Sequence, residues 1–234
     1  MNARLLAAVL ALAAPALGRT GQEIVDAMDK VLMFDEGAIE VSIIDRRGGT
    51  VRTTFEATAL YKKDCGTLME FTAPAREKGK KVLMVGTNMW MAVPGVSRPV
   101  RVSGKESFMG TSFSNNDLMD YSKGNDYVST VTDSTDTSFT VEMKSASRTV
   151  SYPRIVAQVS RAYLPIRQDL YTLSGNLIKV VEFTQVKQLA GRQRPSVYTM
   201  RDVLTQGNET AVVFRSMTAK AVDESAFSPD NLTR

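Results

Sequence analysis

The sequence predicts a mainly β (α+β) protein. A single curved antiparallel sheet of about ten or eleven strands forms an open, incomplete β-barrel, with one N-terminal helix and one short helical lid. Three observations carry this expectation. From Ala38 onward, apolar residues recur with period two in short runs divided by Gly, Asn and Ser turn signals, as in a meander of antiparallel strands. Only the stretch after Thr20 shows a sustained helical period. Between Gly79 and Tyr121, large apolar side chains gather in a segment whose Gly, Ser and Asn content otherwise reads as loop.

Met1 to Gly18 reads as a secretory signal peptide. Arg4 is the basic n-region, Leu5 to Ala14 the short apolar run, and Ala16-Leu17-Gly18 a small-x-small cleavage site. The run falls short of the roughly 20 apolar residues that span a bilayer. The cleavage site has no cysteine for lipid attachment, since the sole cysteine, Cys65, lies far downstream. The expected mature chain, residues 19–234, is therefore exported and soluble and has no internal disulfide to form. Cys65 reads as an incidental free thiol.

Thr20-Gly21-Gln22-Glu23 is a capping-box sequence. After it, Ile24, Val25, Met28, Val31 and Leu32 fall on one helical face, predicting an amphipathic helix to about Met33. Strands follow at 39–46 and 51–62, joined by a Gly48-Gly49 turn, with Val51, Thr53, Phe55, Ala57, Ala59 and Tyr61 on one face. Further strands are expected at 67–72, 80–85 and 96–102. Ser114 can then cap a short helix through Leu118 and Met119, with Asp117 as reciprocal partner, a structural role for that carboxylate. Later strands read as 126–132, 138–144, 155–163, 165–172, 177–189, 197–204 and 210–218. Phe227 and Leu232 are expected to pin the tail back onto the sheet. No repeat or low-complexity linker divides 19–234, so one domain is expected.

The formal net charge is +4, and the leader contains Arg4, so the exported chain carries +3. That is weakly basic, suited to an anionic membrane surface or an acidic partner and too dispersed for nucleic acid. The densest cluster, Arg76, Lys78, Lys80 and Lys81, is either a docking patch or a solvated loop. The chain has no histidine, which removes Ser-His-Asp and Cys-His systems and the commonest zinc ligand. No phosphate-binding or dinucleotide fingerprint is present. Carboxylates such as Asp26, Asp29, Asp35, Glu36 and Glu70 carry no recognisable catalytic pattern. The expectation is a binding protein with no catalytic residues, no metal and no cofactor.

The 79–121 segment holds the only tryptophan, Trp90, and five of the twelve methionines: Met84, Met89, Met91, Met109 and Met119. Unbranched, polarizable methionines suit a flexible apolar guest. Apolar clusters are usually core, and filling the protein's own interior is the plain alternative.

The order of motifs here, GKKVLMVG, then MWMAVPG, then RPVRVSGKESFMGTSFSNNDL, resembles the outer-membrane lipoprotein-sorting family, relatives of the LolA-like periplasmic lipoprotein carriers. The signature positions are Trp90, Pro94, Arg98, Arg101, Met109, Gly110, Phe113, Ser114, Asp117 and Leu118. A second block, LPIRQDLYTLSGNLIKVVEF followed by Gly191, Arg192 and Pro195, continues the likeness. Where the family often has an aromatic two residues after the tryptophan, this chain has Ala92.

The resemblance implies a soluble periplasmic carrier. It would shield lipoprotein acyl chains in a hydrophobic cavity, be loaded by an inner-membrane transporter and be unloaded by an outer-membrane acceptor. A monomer is expected. Cavity or lid residues would be Met84, Trp90, Met91, Phe108, Met109, Phe113, Leu118 and Met119, with Phe55, Phe71, Tyr171 and Phe183 contributed by the sheet. Two alternatives stay open. One is a carrier of free lipids or other hydrophobic molecules beside a resistance-nodulation-division (RND) exporter. The other is a non-transport envelope protein with a filled interior.

Overall fold

A computed structural model describes residues 19–119, 126–145, 147 and 150–233. The expected signal peptide lies outside the described residues. The N-terminal helix α1 runs Gly21–Leu32, and Thr20 forms the capping box its sequence predicts: Thr20 Oγ1 accepts from the Glu23 amide and the Glu23 side chain accepts from the Thr20 amide.

Among the described residues thirteen strands form one sheet: β1 (Glu36–Arg47), β2 (Thr50–Lys62), β3 (Gly66–Ala73), β4 (Lys81–Val85), β5 (Asn88–Ala92), β6 (Val100–Val102), β7 (Val128–Ser134), β8 (Ser138–Lys144), β9 (Arg154–Ser160), β10 (Pro165–Tyr171), β11 (Leu177–Leu189), β12 (Arg192–Asp202) and β13 (Glu209–Ala219). Their order is β6-β5-β4-β3-β2-β1-β13-β12-β11-β10-β9-β8-β7, and every neighbouring pair is antiparallel. The chain thus meanders outward to one edge, jumps to the other edge, and meanders back to meet β1 through β13.

The count of thirteen corrects the ten or eleven expected. The residues around Trp90 form the strand β5, because Met89 and Met91 alternate with Trp90 across the sheet. By contrast, 93–99 holds Pro94, Gly95 and Pro99 and turns, leaving only Val100–Val102 as β6. β12 begins five residues before the expected Val197. Its Pro195 pairs only with β11, since the β12–β13 ladder starts at Val197, so the missing proline N–H breaks no bond on that side.

Side chains of β4 and β5 (Val82, Met84, Met89) share one contiguous core with those of β8 and β9 (Val141, Met143, Ile155). The inward side chains of the intervening strands, of α1 and of the segment after β6 complete this core on the concave side of an open, curved sheet. α1 covers the concave face with Ile24, Val25 and Met28 fully buried. Gly21 makes this seating possible, because a Cβ there would lie 2.4 Å from the Ser129 carbonyl oxygen of β7. The segment from β6 to β7 crosses the opening between the two edge strands. Its described part contains a 3-10 turn, Phe108–Gly110, and the helix α2, Asn115–Met119.

A second cluster lies on the other face: Leu83, Ala92, Val222, Phe227 and Leu232, with Trp90 packed against it. Phe227 and Leu232 therefore hold the tail on the sheet as expected. Ala92 is buried in this cluster beneath the tail.

Candidate functional site

The segment bridging the edges is tied into a compact lid by its own backbone. Phe108 N–H donates to the Phe113 carbonyl at 2.8 Å, Asn115 N–H to Glu106 and Asn116 N–H to Gly104. Met109 (φ 52°) and Gly110 (φ 74°) both adopt left-handed conformations, which reverses the chain between Phe108 and Phe113 and buries both rings in the core. Phe108 stacks on Phe71 at 6.2 Å between centroids, and Phe71 meets Phe55 edge-on at 5.8 Å. The lid thus places Phe108, Phe113 and Leu118 in the concave core, with Met109 and Met119 packed against it.

Two polar anchors hold it. At the apex, the Gly110 carbonyl oxygen accepts from Arg47 at 2.5 Å and from Arg52 at 3.0 Å. Both guanidinium groups lean on the fully buried carboxylate of Asp45, at 3.3 and 2.6 Å. Asp45 also accepts from Thr210 Oγ1 at 2.9 Å, and that hydroxyl accepts from the Ser112 amide at 2.9 Å. At the other end, Asp117 accepts from the Ser114 amide at 2.7 Å and closes the predicted reciprocal cap of α2. The same carboxylate takes the Tyr152 hydroxyl at 2.8 Å and the Lys179 ammonium at 2.9 Å. Burial, reinforced by the negative charge of Asp117, pushes the Tyr152 hydroxyl well above its ordinary pKa.

Between α1, the lid and the sheet lies an apolar cleft of about 100 Å³. Met28 and Leu32 form its helical wall and Phe113 its lid side, while Leu170, Val181, Phe183, Tyr198 and Met200 form its floor. Phe183, Tyr198 and Phe214 make an edge-to-face aromatic ladder across β11, β12 and β13, with centroids 4.9 Å apart at each step.

The site residues read from sequence divide into two groups. Phe55, Phe71, Met84, Phe108, Phe113 and Leu118 are buried in the concave core, and Met91, Met109, Met119 and Phe183 pack at its margin. Only Phe113 and Phe183 of the twelve line this cleft. Trp90 and Tyr171 are placed differently. Trp90 packs under the C-terminal tail, because alternation along β5 sends Met89 and Met91 inward and Trp90 outward. Tyr171 alternates with the inward Gln168 and Leu170 and lies beneath the Arg154 guanidinium, 4.1 Å from its ring centroid. The floor residues Tyr198 and Met200 fall within the strand expected at 197–204, but the sequence marks neither as a site residue. The helical wall was legible as an apolar face, and nothing in one sequence says that this face borders a cleft.

A second cleft of about 540 Å³ opens at the C-terminal end of α1, bordered by Lys30, Lys63, Arg192, Lys220, Phe34, Asp35 and Glu36. Here Arg192 and Arg194 donate to the last carbonyls of α1, Arg192 to Lys30 at 2.9 Å and Arg194 to Leu32 at 3.0 Å. Cations at this end of a helix complement its dipole.

A protein-family model described as uncharacterized protein-like matches residues 63–234. A search among curated proteins finds no match. Among solved structures, a LolA superfamily protein from Nitrosomonas europaea is similar with a TM-score of 0.78 at 23% identity, covering 90% of this chain and 98% of that one. A domain described as an outer membrane lipoprotein-sorting protein from Vibrio parahaemolyticus gives 0.79 at 20% identity, covering 92% and 98%. A DUF1329 family protein from Desulfovibrio piger gives 0.79 at 22%, covering 89% and 95%.

Proposed function

Because the chain belongs to the family whose model spans residues 63–234, and folds as LolA-like lipoprotein-sorting proteins do, we propose that it is a non-enzymatic carrier of a hydrophobic ligand. It shelters acyl chains between α1, the lid and the concave face of the sheet. The observation that carries this reading is the lid: its aromatic and methionine side chains occupy the concave side, yet it is tied to the sheet by discrete polar anchors at Gly110, Ser112 and Asp117. Side chains that plug a hollow from a separately anchored segment can withdraw together and leave apolar space behind.

The closed cleft of about 100 Å³ is far below the roughly 300 to 1,000 Å³ of an occupied small-molecule site, so loading requires the lid to move. The energetics require close shielding. Each CH2 taken from water gains about 0.8 kcal/mol, so a chain of about 15 methylenes gains about 12 kcal/mol. Two or three chains exceed the roughly 18 to 21 kcal/mol at which non-covalent affinity saturates, so a carrier must match the membrane's shelter nearly group for group.

In the form the resemblance implies, the cargo is a lipoprotein moving through the periplasm from an inner-membrane transporter to an outer-membrane acceptor. The second reading is a carrier of free lipids or other hydrophobic molecules beside an RND-type exporter, for which the small closed cleft favours a ligand of a single chain. No helix among the described residues is long and apolar enough to cross a membrane. The deciding experiment is mass spectrometry of the protein purified from its native envelope. Co-purifying acyl lipid supports the carrier, and a covalently acylated polypeptide in the complex selects lipoprotein cargo. Ligand-free protein that also fails to take up a fluorescent fatty acid contradicts the reading.

A further inference from the structure

Arg194 is only 1% exposed, and its Nε and Nη2 have no hydrogen-bond partner; only Nη1 is engaged, with the Leu32 carbonyl. A charged group sealed from water with most of its donors idle is a costly arrangement that folded proteins usually avoid. Burial lowers the guanidinium pKa from its ordinary value, and the nearby charge of Arg192 adds to this, yet an arginine remains cationic. Its position is specific. The carbonyl it holds belongs to Leu32, a wall of the apolar cleft, and its guanidinium lies 5.8 Å from the ring of Phe34, a wall of the basic cleft. Arg194 therefore stands at the partition between the two.

The basic side is built to match. Lys30, Lys63, Arg192 and Lys220 border it against two carboxylates, Asp35 and Glu36, and Glu36 already pairs with Lys62 at 3.5 Å. The partition itself is one end of α1. The helix start is locked on β7 by the close approach at Gly21, whereas its last turn is held by the two arginine bonds to Lys30 and Leu32. A ligand spanning both clefts would have to lift that last turn, which Arg194 holds at the Leu32 carbonyl.

We infer that the ligand is an amphiphile with an oxyanion head, a carboxylate or phosphate. Its acyl chain lies in the apolar cleft and its head sits in the basic cleft, held by Arg194. A planar guanidinium with free adjacent donors at Nε and Nη2 suits two-point recognition of such a group. This inference rests on the carrier reading and adds to it the chemistry of the head.

The test compares decanoate with decanol, and inorganic phosphate alone, by displacement of a neutral fluorescent acyl probe from the purified protein. Decanoate is expected to bind about tenfold or more tightly than decanol, as for a charge-assisted bond in a desolvated site. Phosphate alone is expected to leave the probe in place. Arg194→Gln should bring decanoate to within about twofold of decanol. If Arg194→Gln does not fold, the exposed-rim variant Lys63→Ala/Lys220→Ala serves, with an expected loss of about threefold in the preference. Equal binding of acid and alcohol by the unmodified protein overturns the inference and leaves the carrier standing, as does a preference that survives Arg194→Gln or, where that variant does not fold, the rim variant. Arg194-dependent binding of phosphate without a preference for the acyl acid also overturns it, making the cleft a free-anion site. Failure of both acyl ligands to displace the probe overturns both readings.

Discussion

Arg52 meets the buried carboxylate of Asp45 at 2.6 Å while its other arm reaches the carbonyl oxygen of Gly110, so a strand of the sheet and the apex of the lid share one guanidinium. The two residues have unequal parts. Asp45 is sealed and also receives Thr210, whereas Arg52 is nearly half exposed and free to rehydrate. Asp45→Ala is expected to cost about 2–3 kcal/mol in urea unfolding, because Thr210 and the inner faces of two arginines lose their acceptor. Arg52→Ala should cost under about 1 kcal/mol. Its signature is instead faster amide exchange across 108–113. An Arg52→Ala protein whose lid exchanges no faster than the unmodified one would remove the latch.

Tyr152 links stability to alkaline pH. Its hydroxyl is held protonated by burial and then by Asp117, and burial also raises Tyr61, with Asp64 and Asp35 adding to it. In the unfolded chain tyrosine ionises near pH 10. Below that, both states keep the proton and these groups give no pH dependence. Above it, the unfolded state loses protons that the folded state retains, so stability falls by up to about 1.4 kcal/mol per pH unit for each such tyrosine. Urea midpoints taken from pH 8 to 11 should decline above pH 10, less steeply in Tyr152→Phe. Parallel declines would show that Tyr152 is not a source of the effect.

Trp90 reports on the outer face. It packs with Leu83, Phe227 and Leu232 rather than with the concave core. A brominated acyl chain bound under the lid should leave its emission unquenched. Deleting 221–234 should shift that emission to longer wavelength by exposing the ring. Strong quenching by the bound chain would place the ligand on the wrong side of the sheet for this account.

Gly21 sets the seat of α1. The Ser129 carbonyl carbon and oxygen and the Thr130 nitrogen all lie within 2.6 Å of where a Cβ would stand, and backbone atoms cannot swing aside. Gly21→Ala should therefore lower stability by about 1–3 kcal/mol, even though alanine is the better helix former. Thermal unfolding measures it, and an unchanged or raised midpoint would show that the helix start is free to shift.

The strand meander was legible because period two survives wherever one face is buried, as at Phe55, Ala57 and Ala59. β8 and β11 fall at their expected boundaries, Ser138–Lys144 and Leu177–Leu189. β5 was hidden because its alternation is apolar on both faces: Met89 and Met91 enter one cluster and Trp90 the other, so hydrophobicity shows no period. The same ambiguity misplaced Trp90 as a cavity residue. Asp117 could be read as a cap from its spacing to Ser114. The role of Asp45 could not be read, since Thr210 meets it, and Arg47 and Arg52 join it to the Gly110 carbonyl, only through folding. Nor could a sequence reveal that the lid plugs the concave side with its own rings.

Whether the lid must withdraw for a ligand to enter can be measured directly. Ser112 and Thr210 touch through the bond that ties lid to sheet, at 2.9 Å. In a Cys65→Ser background, Ser112→Cys/Thr210→Cys allows that contact to be locked by oxidation and released by reduction. Fluorescent fatty-acid uptake should be lost in the oxidised protein and return on reduction. Uptake by the locked protein equal to that of the reduced one would contradict the account.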